Sequence, residues 1–188
     1  CKPGYYSADN ELAACTPCTG GSYAGEAGKI VCDKCESGKY SEERNATSSS
    51  VCVDCPRGKY SFSDGANRCA QCSAGKYNNN MGQSSFDACV SCPLGKYTSR
   101  EGTRECMDCP AGSYSGGVQS LRCFECPTGR YSSSTGATEC SRCPANTHSS
   151  VLGSDSERDC LECAAGRYSE PSTVLGCVPC LSGKYGDT

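Results

Sequence analysis

No stretch of this chain carries the three- and four-residue apolar spacing of an amphipathic helix. What recurs instead is a glycine, an aromatic ring and a Cys-x-x-Cys pair, at intervals of 17 or 20 residues. The fullest form of the phrase is C-x-x-G-x-Y-S-x-x-x-G-x-x-x-C-x-x-C, and ten Cys-x-x-Cys pairs run the length of the chain. The phrase opens at Cys1, Gly4 and Tyr6. It returns as Cys18/Gly21/Tyr23, Cys35/Gly38/Tyr40, Cys55/Gly58/Tyr60, Cys72/Gly75/Tyr77 and Cys92/Gly95/Tyr97, then as Cys109/Gly112/Tyr114, Cys126/Gly129/Tyr131, Cys163/Gly166/Tyr168 and Cys180/Gly183/Tyr185. One copy departs, with Asn146 and His148 after Cys143. A chain with such a period is an array of one small unit. The units run at about 1–17, 18–34, 35–54, 55–71, 72–91, 92–108, 109–125, 126–142, 143–162 and 163–179, with 180–188 a partial copy.

Each position has a physical reason. A glycine three residues after the cysteine marks a tight turn with positive φ, which glycine adopts without steric cost, and Asn146 is the next best residue for that conformation. A second glycine follows the ring by five residues at Gly28, Gly65, Gly82, Gly102, Gly136 and Gly153, with Asn45 in that slot of the third unit. Two turns joined by short extended pieces predict a small irregular β hairpin per unit. Ten of the eleven tyrosines fill the motif position. A ring beside a cystine is the expected miniature core, because tyrosine buries apolar area and keeps its hydroxyl wet. His148 holds the same slot and is the one histidine of the chain, so a packed ring is expected there rather than a ligand lacking co-ligands.

The residue before the ring is basic at Lys39, Lys59, Lys76, Lys96, Arg130, Arg167 and Lys184, while Asp33, Asp54, Asp108, Glu125 and Glu162 sit in the Cys-x-x-Cys loops. Stacked units would draw these into complementary stripes. The plainer reading is a solvated surface, with each exposed pair contributing about 0–1 kcal/mol; the bolder one is that the stripes set register between neighbouring arrays.

Composition narrows the class. Leu, Ile, Val and Phe number 19 of 188 residues and Trp is absent, too little for one large core. Without its 21 cysteines the chain would read as disordered; with them it reads as a disulfide scaffold of an oxidising compartment, secreted or on the cell surface. No run of about twenty apolar residues offers a membrane span, and no charged-then-apolar leader precedes Cys1. Both ends cut through a repeat, as a segment of a longer array would. A net charge of −3 leaves no basic footprint for nucleic acid.

Closely spaced cysteine pairs serve disulfides or zinc, and spacing alone excludes neither. Proline directly after the second cysteine, at Pro56, Pro93, Pro110, Pro127 and Pro144, removes a donor that thiolate ligands would use, which favours disulfides. A thioredoxin-like redox pair lacks its βαβ surroundings. The repeated loop predicts bonds from the second cysteine of one pair to the first of the next: Cys1–Cys15, Cys18–Cys32, Cys35–Cys52, Cys55–Cys69, Cys72–Cys89, Cys92–Cys106, Cys109–Cys123, Cys126–Cys140, Cys143–Cys160 and Cys163–Cys177. Cys180 is left over, its partner expected beyond the last residue. The rival pattern closes every Cys-x-x-Cys on itself; it strands Cys1 and leaves the Gly/Tyr loop unpinned. The fold class is thus small, disulfide-rich and mostly β or irregular: an elongated tandem-repeat rod without a central core, its three longer loops, ending at Cys52, Cys89 and Cys160, bulging from the side.

The phrase C-x-x-G-x-Y-S with a downstream glycine and Cys-x-x-Cys resembles the ephrin-receptor-like cysteine-rich repeat, and is similar to the first module of tumour-necrosis-factor-receptor cysteine-rich domains. The resemblance implies fold and extracellular compartment. It leaves use open, since the family spans receptor ectodomains and repetitive surface proteins of protists and algae, flagellar-hair components among them. Two functions compete. Uninterrupted near-identical repeats point to a structural segment of an extracellular filament, surface appendage or matrix protein, partnered by itself or by other extracellular proteins. The alternative is a ligand-binding or adhesion ectodomain, for which Phe62, Phe86, Phe124, Leu152 and Leu175 are the scattered candidate anchors. No nucleophile, base and orienting group recur together, so neither an enzyme nor a cofactor is expected. Asn45-Ala46-Thr47 is an N-glycosylation sequon. Ser7, Ser41, Ser61, Thr98, Ser115, Ser132, Ser149 and Ser169 after the ring are either an edge for O-linked sugars or small polar residues that cap turns.

Overall fold

The computed structural model describes residues 1–8, 14–170 and 176–181. Lys184 and Leu175 lie outside them. The chain divides into two units. The first comprises Cys1–Ser91 and Arg100–Glu105, and the second Cys92–Ser99 and Cys106–Thr188. Both are built from one hairpin, repeated. Its first strand carries the motif ring and the residue before it; its second is the pair of residues inside the following Cys-x-x-Cys. In the first unit Lys39–Tyr40 pairs antiparallel with Val53–Asp54, and in the second Ser113–Tyr114 pairs with Phe124–Glu125.

Among the described residues every strand is two residues long, too short to stand alone. Two features hold it. The first is the turn that opens it: in the second repeat Ser22 N–H donates to Thr19 O at 3.1 Å, and Gly21 sits at φ +83°, the conformation a type II turn requires at its third residue. The second is the covalent bond across the open end. Cys18 is joined to Cys32, Cys55 to Cys69 and Cys126 to Cys140 across 14 residues, while Cys35–Cys52, Cys72–Cys89 and Cys143–Cys160 span 17. The remaining bonds, Cys1–Cys15, Cys92–Cys106, Cys109–Cys123 and Cys163–Cys177, are of the shorter kind. The three additional residues of the longer loops wind into 3₁₀ turns at Ser49–Val51, Phe86–Ala88 and Glu157–Asp159, each capped by the serine before it. Cys180 is the one free cysteine, half-buried.

Within each unit a repeat is stitched to the next by four backbone hydrogen bonds. Gly21 N–H donates to Ser41 O (2.7 Å), Ala24 N–H to Ala46 O (2.9 Å), Asn45 N–H to Cys18 O (2.9 Å) and Cys35 N–H to Gly21 O (2.8 Å). The second unit repeats this with Gly112 N–H to Ser132 O, Ser115 N–H to Ala137 O, Gly136 N–H to Cys109 O and Cys126 N–H to Gly112 O, at 2.7–3.0 Å. Backbone groups that a short hairpin leaves unpaired are satisfied by its neighbour, which is how a repeat protein stabilises units that could not fold singly.

The buried material is neither central nor aliphatic. It is mainly the cysteine that opens the phrase, at Cys18, Cys35, Cys55, Cys72, Cys92, Cys109, Cys126 and Cys143, and the small residue after the ring, from Ala24 and Ser41 to Ser149 and Ser169, with Cys32, Ala46, Cys89 and Cys140 beside them. The expectation that the ring is the miniature core needs correction. Every described motif tyrosine, and His148 with them, is only half-buried. Tyr6 shows the role, packing as a cover over Cys18, Ala24 and Cys32 of the following repeat.

Candidate interaction surface

The two faces of each hairpin sort the side chains into cross-strand pairs. On one, the motif ring faces the first residue of the Cys-x-x-Cys interior: Tyr40 faces Val53, Tyr77 faces Val90, Tyr97 faces Met107, Tyr114 faces Phe124 and His148 faces Leu161. These partners stay exposed, from 48% at Val53 to 67% at Leu161. A set of half-buried rings paired with exposed apolar residues is thus built into these five hairpins, whereas Tyr6 faces Thr16, Tyr23 faces Asp33 and Tyr131 faces Ser141. Its richest member is in the second unit, where the Tyr114 and Phe124 rings lie 6.2 Å apart and the Arg122 guanidinium sits 5.3 Å over Phe124.

The neighbouring position carries the charges. Lys96 Nζ meets Asp108 Oδ1 at 2.7 Å and Lys39 Nζ meets Asp54 Oδ1 at 3.8 Å, each pair spanning a single hairpin. Elsewhere the register sets Lys59 against Gln71, Lys76 against Ser91 and Arg130 against Arg142. Where these basic and acidic positions are seen to meet, at Lys39–Asp54 and Lys96–Asp108, they do so within one repeat. Arg130 Nη1 and Arg167 Nη1 turn instead to the carbonyls of Cys140 and Cys177, at 2.9 Å each, tying the strand to the far end of its own disulfide. Lys29 and Asp33 form a further surface pair at 2.8 Å, and this hydrogen bond raises the Lys29 pKa.

Most of the serines and threonines after the ring are withdrawn from solvent, which argues against a sugar-bearing edge, though Ser7 is only half-buried. Ser41, Ser61, Thr98, Ser115, Ser132, Ser149 and Ser169 are buried. Their hydroxyls serve the backbone: Ser61 Oγ donates to Ser63 O at 3.1 Å, Ser132 Oγ to Ser134 O at 3.2 Å and Ser169 Oγ to Thr147 O at 2.6 Å. At Ser41, Ser61, Ser115, Ser132 and Ser149 the hydroxyl bonds the backbone of its own turn, the plainer of the two readings, while Ser169 reaches the preceding repeat. The Ser149–Ser154 and Ser115–Ser120 hydroxyl pairs, at 2.5 and 2.6 Å, close such turns.

Asn45 and Thr47 are exposed around a buried Ala46, and Asn45 takes φ +56°. Asn146 follows the same rule at φ +61°. Gln119, also at φ +61°, holds the second-turn slot of the seventh repeat; glutamine carries no left-handed preference, and only its distance of five residues from Tyr114 marks it. His148 packs among turn glycines, as a Cβ on Gly129 would lie 3.2 Å from its Nδ1 and one on Gly176 3.3 Å from its Nε2. Phe62, Phe86 and Leu152 are exposed and lie outside the paired row.

Among the described residues no group of three or more His, Cys, Asp or Glu side chains is placed to hold a metal ion, and no helix is long and apolar enough to cross a membrane. An open groove in the first unit is lined by Thr19, Gly20, Glu42, Arg44, Asn67 and Arg68.

The family model described as tyrosine-protein kinase ephrin type A/B receptor-like matches residues 4–52, 80–121 and 112–160, together more than half of the chain. No curated protein matches it. With the Gly/ring/Cys-x-x-Cys phrase, the tandem disulfides and the repeated hairpin all in place, the chain belongs to the ephrin-receptor-like family of cysteine-rich repeats.

Proposed function

We propose that the chain is a non-enzymatic structural segment of an extracellular filament, surface appendage or matrix protein. Disulfide-rich repeats of the ephrin-receptor-like kind are an extracellular, non-catalytic module type. The observation that carries the structural reading is the use of the backbone. The groups a short hairpin leaves open are taken up by the adjoining repeat, through the same four hydrogen bonds in each unit. Such a design scales with the number of repeats and concentrates no chemistry at any one of them. Electron microscopy of native, unreduced material tests it. Ordered filaments with a spacing commensurate with the repeat support the proposal; dispersed single molecules count against it.

One observation favours the second reading, a ligand-binding or adhesion ectodomain. The Tyr114–Phe124 pair with Arg122 above it is an exposed aromatic and arginine cluster, the composition enriched at binding hot spots. If Phe124→Ala abolishes binding to cells or matrix while leaving the disulfides intact, this reading replaces the first.

A further inference from the structure

The sequon of the third repeat sits where the fold can carry a sugar and where the fold alone does not account for it. Asn45 occupies the second-turn slot, filled by glycine at Gly65, Gly82 and Gly102. Its backbone is fixed: φ is +56°, its N–H donates to Cys18 O at 2.9 Å, and its carbonyl lies against Gly4, where even a Cβ would collide with it. The side chain is exposed. The turn explains an asparagine here, just as it explains Asn146, but it does not explain Thr47. The slot two residues beyond the turn holds Ile30, Asn67, Arg104, Leu121 and Asp155 in five other repeats and Ser84 and Thr138 in two, so the hairpin accepts a hydroxyl there without requiring one. Asn146, likewise left-handed, is followed by Thr147 and His148 and is no sequon. Ala46 between the two positions is buried, its carbonyl accepting from Ala24 N–H at 2.9 Å.

From this geometry we infer that Asn45 is an N-linked glycosylation site, its glycan standing on the solvent side of the loop closed by Cys35–Cys52. In the transfer Asn45 Nδ2 bonds to the anomeric carbon of an oligosaccharide carried on a lipid pyrophosphate. The sugar–phosphate C–O bond breaks, the lipid pyrophosphate leaves, and the amide proton passes to a base of the transferase. Transfer precedes folding, and the finished turn accommodates the product because no part of the Asn45 side chain is needed inside. A sugar here keeps the neighbouring Glu42, Glu43 and Arg44 surface out of any close-packed contact. The inference rests on the extracellular location and is independent of whether the chain builds filaments or binds a ligand.

The test is secretion of the whole chain from a eukaryotic host, followed by glycopeptide mass spectrometry with and without peptide N-glycosidase. Two variants accompany it: Thr47→Ala removes the acceptor hydroxyl and keeps the asparagine turn, and Asn45→Gly restores the commoner turn residue. A glycan on the wild type that the enzyme removes, leaving Asp at 45, and that both variants lose, is the expected result. Wild-type protein secreted with Cys35–Cys52 closed and Asn45 unmodified overturns the inference, as does a Thr47→Ala chain still glycosylated at Asn45.

Discussion

A Cβ placed on Gly21 would fall on the carbonyl oxygen of Gly65, two repeats further along the chain. The motif glycine therefore meets two demands, a positive φ and the absence of any side chain where another backbone passes. Gly38 stands in the same relation to Gly82, Gly58 to Gly102 and Gly112 to Gly153. Gly28, at φ +78°, has nothing within 4 Å of its would-be Cβ, which makes it a control. Gly28→Ala bears only the left-handed cost, about 1–2 kcal/mol. Gly21→Ala adds an overpacking cost of about 1–3 kcal/mol. Denaturant titration under oxidising conditions should rank the two in that order, with amide exchange at Ser22 and Asn45 accelerated only in the Gly21 variant.

Non-reducing peptide mapping should recover linkages of 14 or 17 residues and none inside a Cys-x-x-Cys. Removing one, by replacing Cys126 and Cys140 together with alanine, releases a loop whose closure is worth about 3 kcal/mol in the chain-entropy account. The loss should be local, because Gly112, Gly136 and Gly153 still bind the repeats on either side through their own amides. Amide exchange should rise in residues 126–142 and fall off beyond them. Uniform unfolding of the second unit would instead show that its repeats cannot be opened singly.

The hairpins and their turns were legible because their determinants are local. Glycine or asparagine three residues after a cysteine names a left-handed position, and Gly21 at φ +83° and Asn146 at φ +61° adopt it. Relations between repeats were not legible. The phrase does not announce that Gly21 must also clear Gly65, since the two are brought together only by stacking. Nor does it reveal that Ser115 is buried. A serine in a polar, glycine-rich chain reads as surface until its hydroxyl is seen against Gly117 O and Ser120 Oγ. Which charges meet was not legible for a related reason. Residues at a constant offset in sequence are opposed by whatever the register supplies, so Lys96 finds Asp108 while Arg130 faces Arg142.

Asn78 is the largest of the fully buried side chains and bridges two repeats. Its Nδ2 donates to Lys59 O at 3.3 Å, and its Oδ1 accepts from Asn80 N–H at 2.9 Å. Asn78→Ala removes both bonds and leaves buried polar atoms unpaired, a cost of about 1–3 kcal/mol. Asn78→Ser installs the residue that Ser41 provides in its own repeat, where Oγ accepts from Glu43 N–H at 3.2 Å. It should therefore retain the local bond, lose the one to Lys59 and fall between wild type and Asn78→Ala. Exchange at the Asn80 amide separates the variants, fast in the alanine form and still protected in the serine form. Equal exchange in both would remove the capping role assigned to this position.

Tyr131 and Glu157 connect adjacent repeats through the side chains, the phenol donating to Glu157 Oε2 at 3.3 Å. Partial burial of the ring raises the Tyr131 pKa above its ordinary 10.0, and the Glu157 charge and hydrogen bond add to the rise. The sign of the linkage follows. A group whose folded pKa is raised favours the fold while it stays protonated, so the contribution is complete below pH 10 and is lost as pH climbs through the raised folded value. Glu157 lies in the 3₁₀ turn Glu157–Asp159 created by the longer loop of the ninth repeat, so those additional residues supply an inter-repeat contact. Carbon NMR of the Tyr131 ring, followed through alkaline pH, should place its titration above that of a free tyrosine. Glu157→Gln should lower the value without restoring the free one, because burial is the larger cause. An unchanged titration in that variant would show that the carboxylate does not reach the phenol in solution and that the 3₁₀ turn has no hold on the preceding repeat.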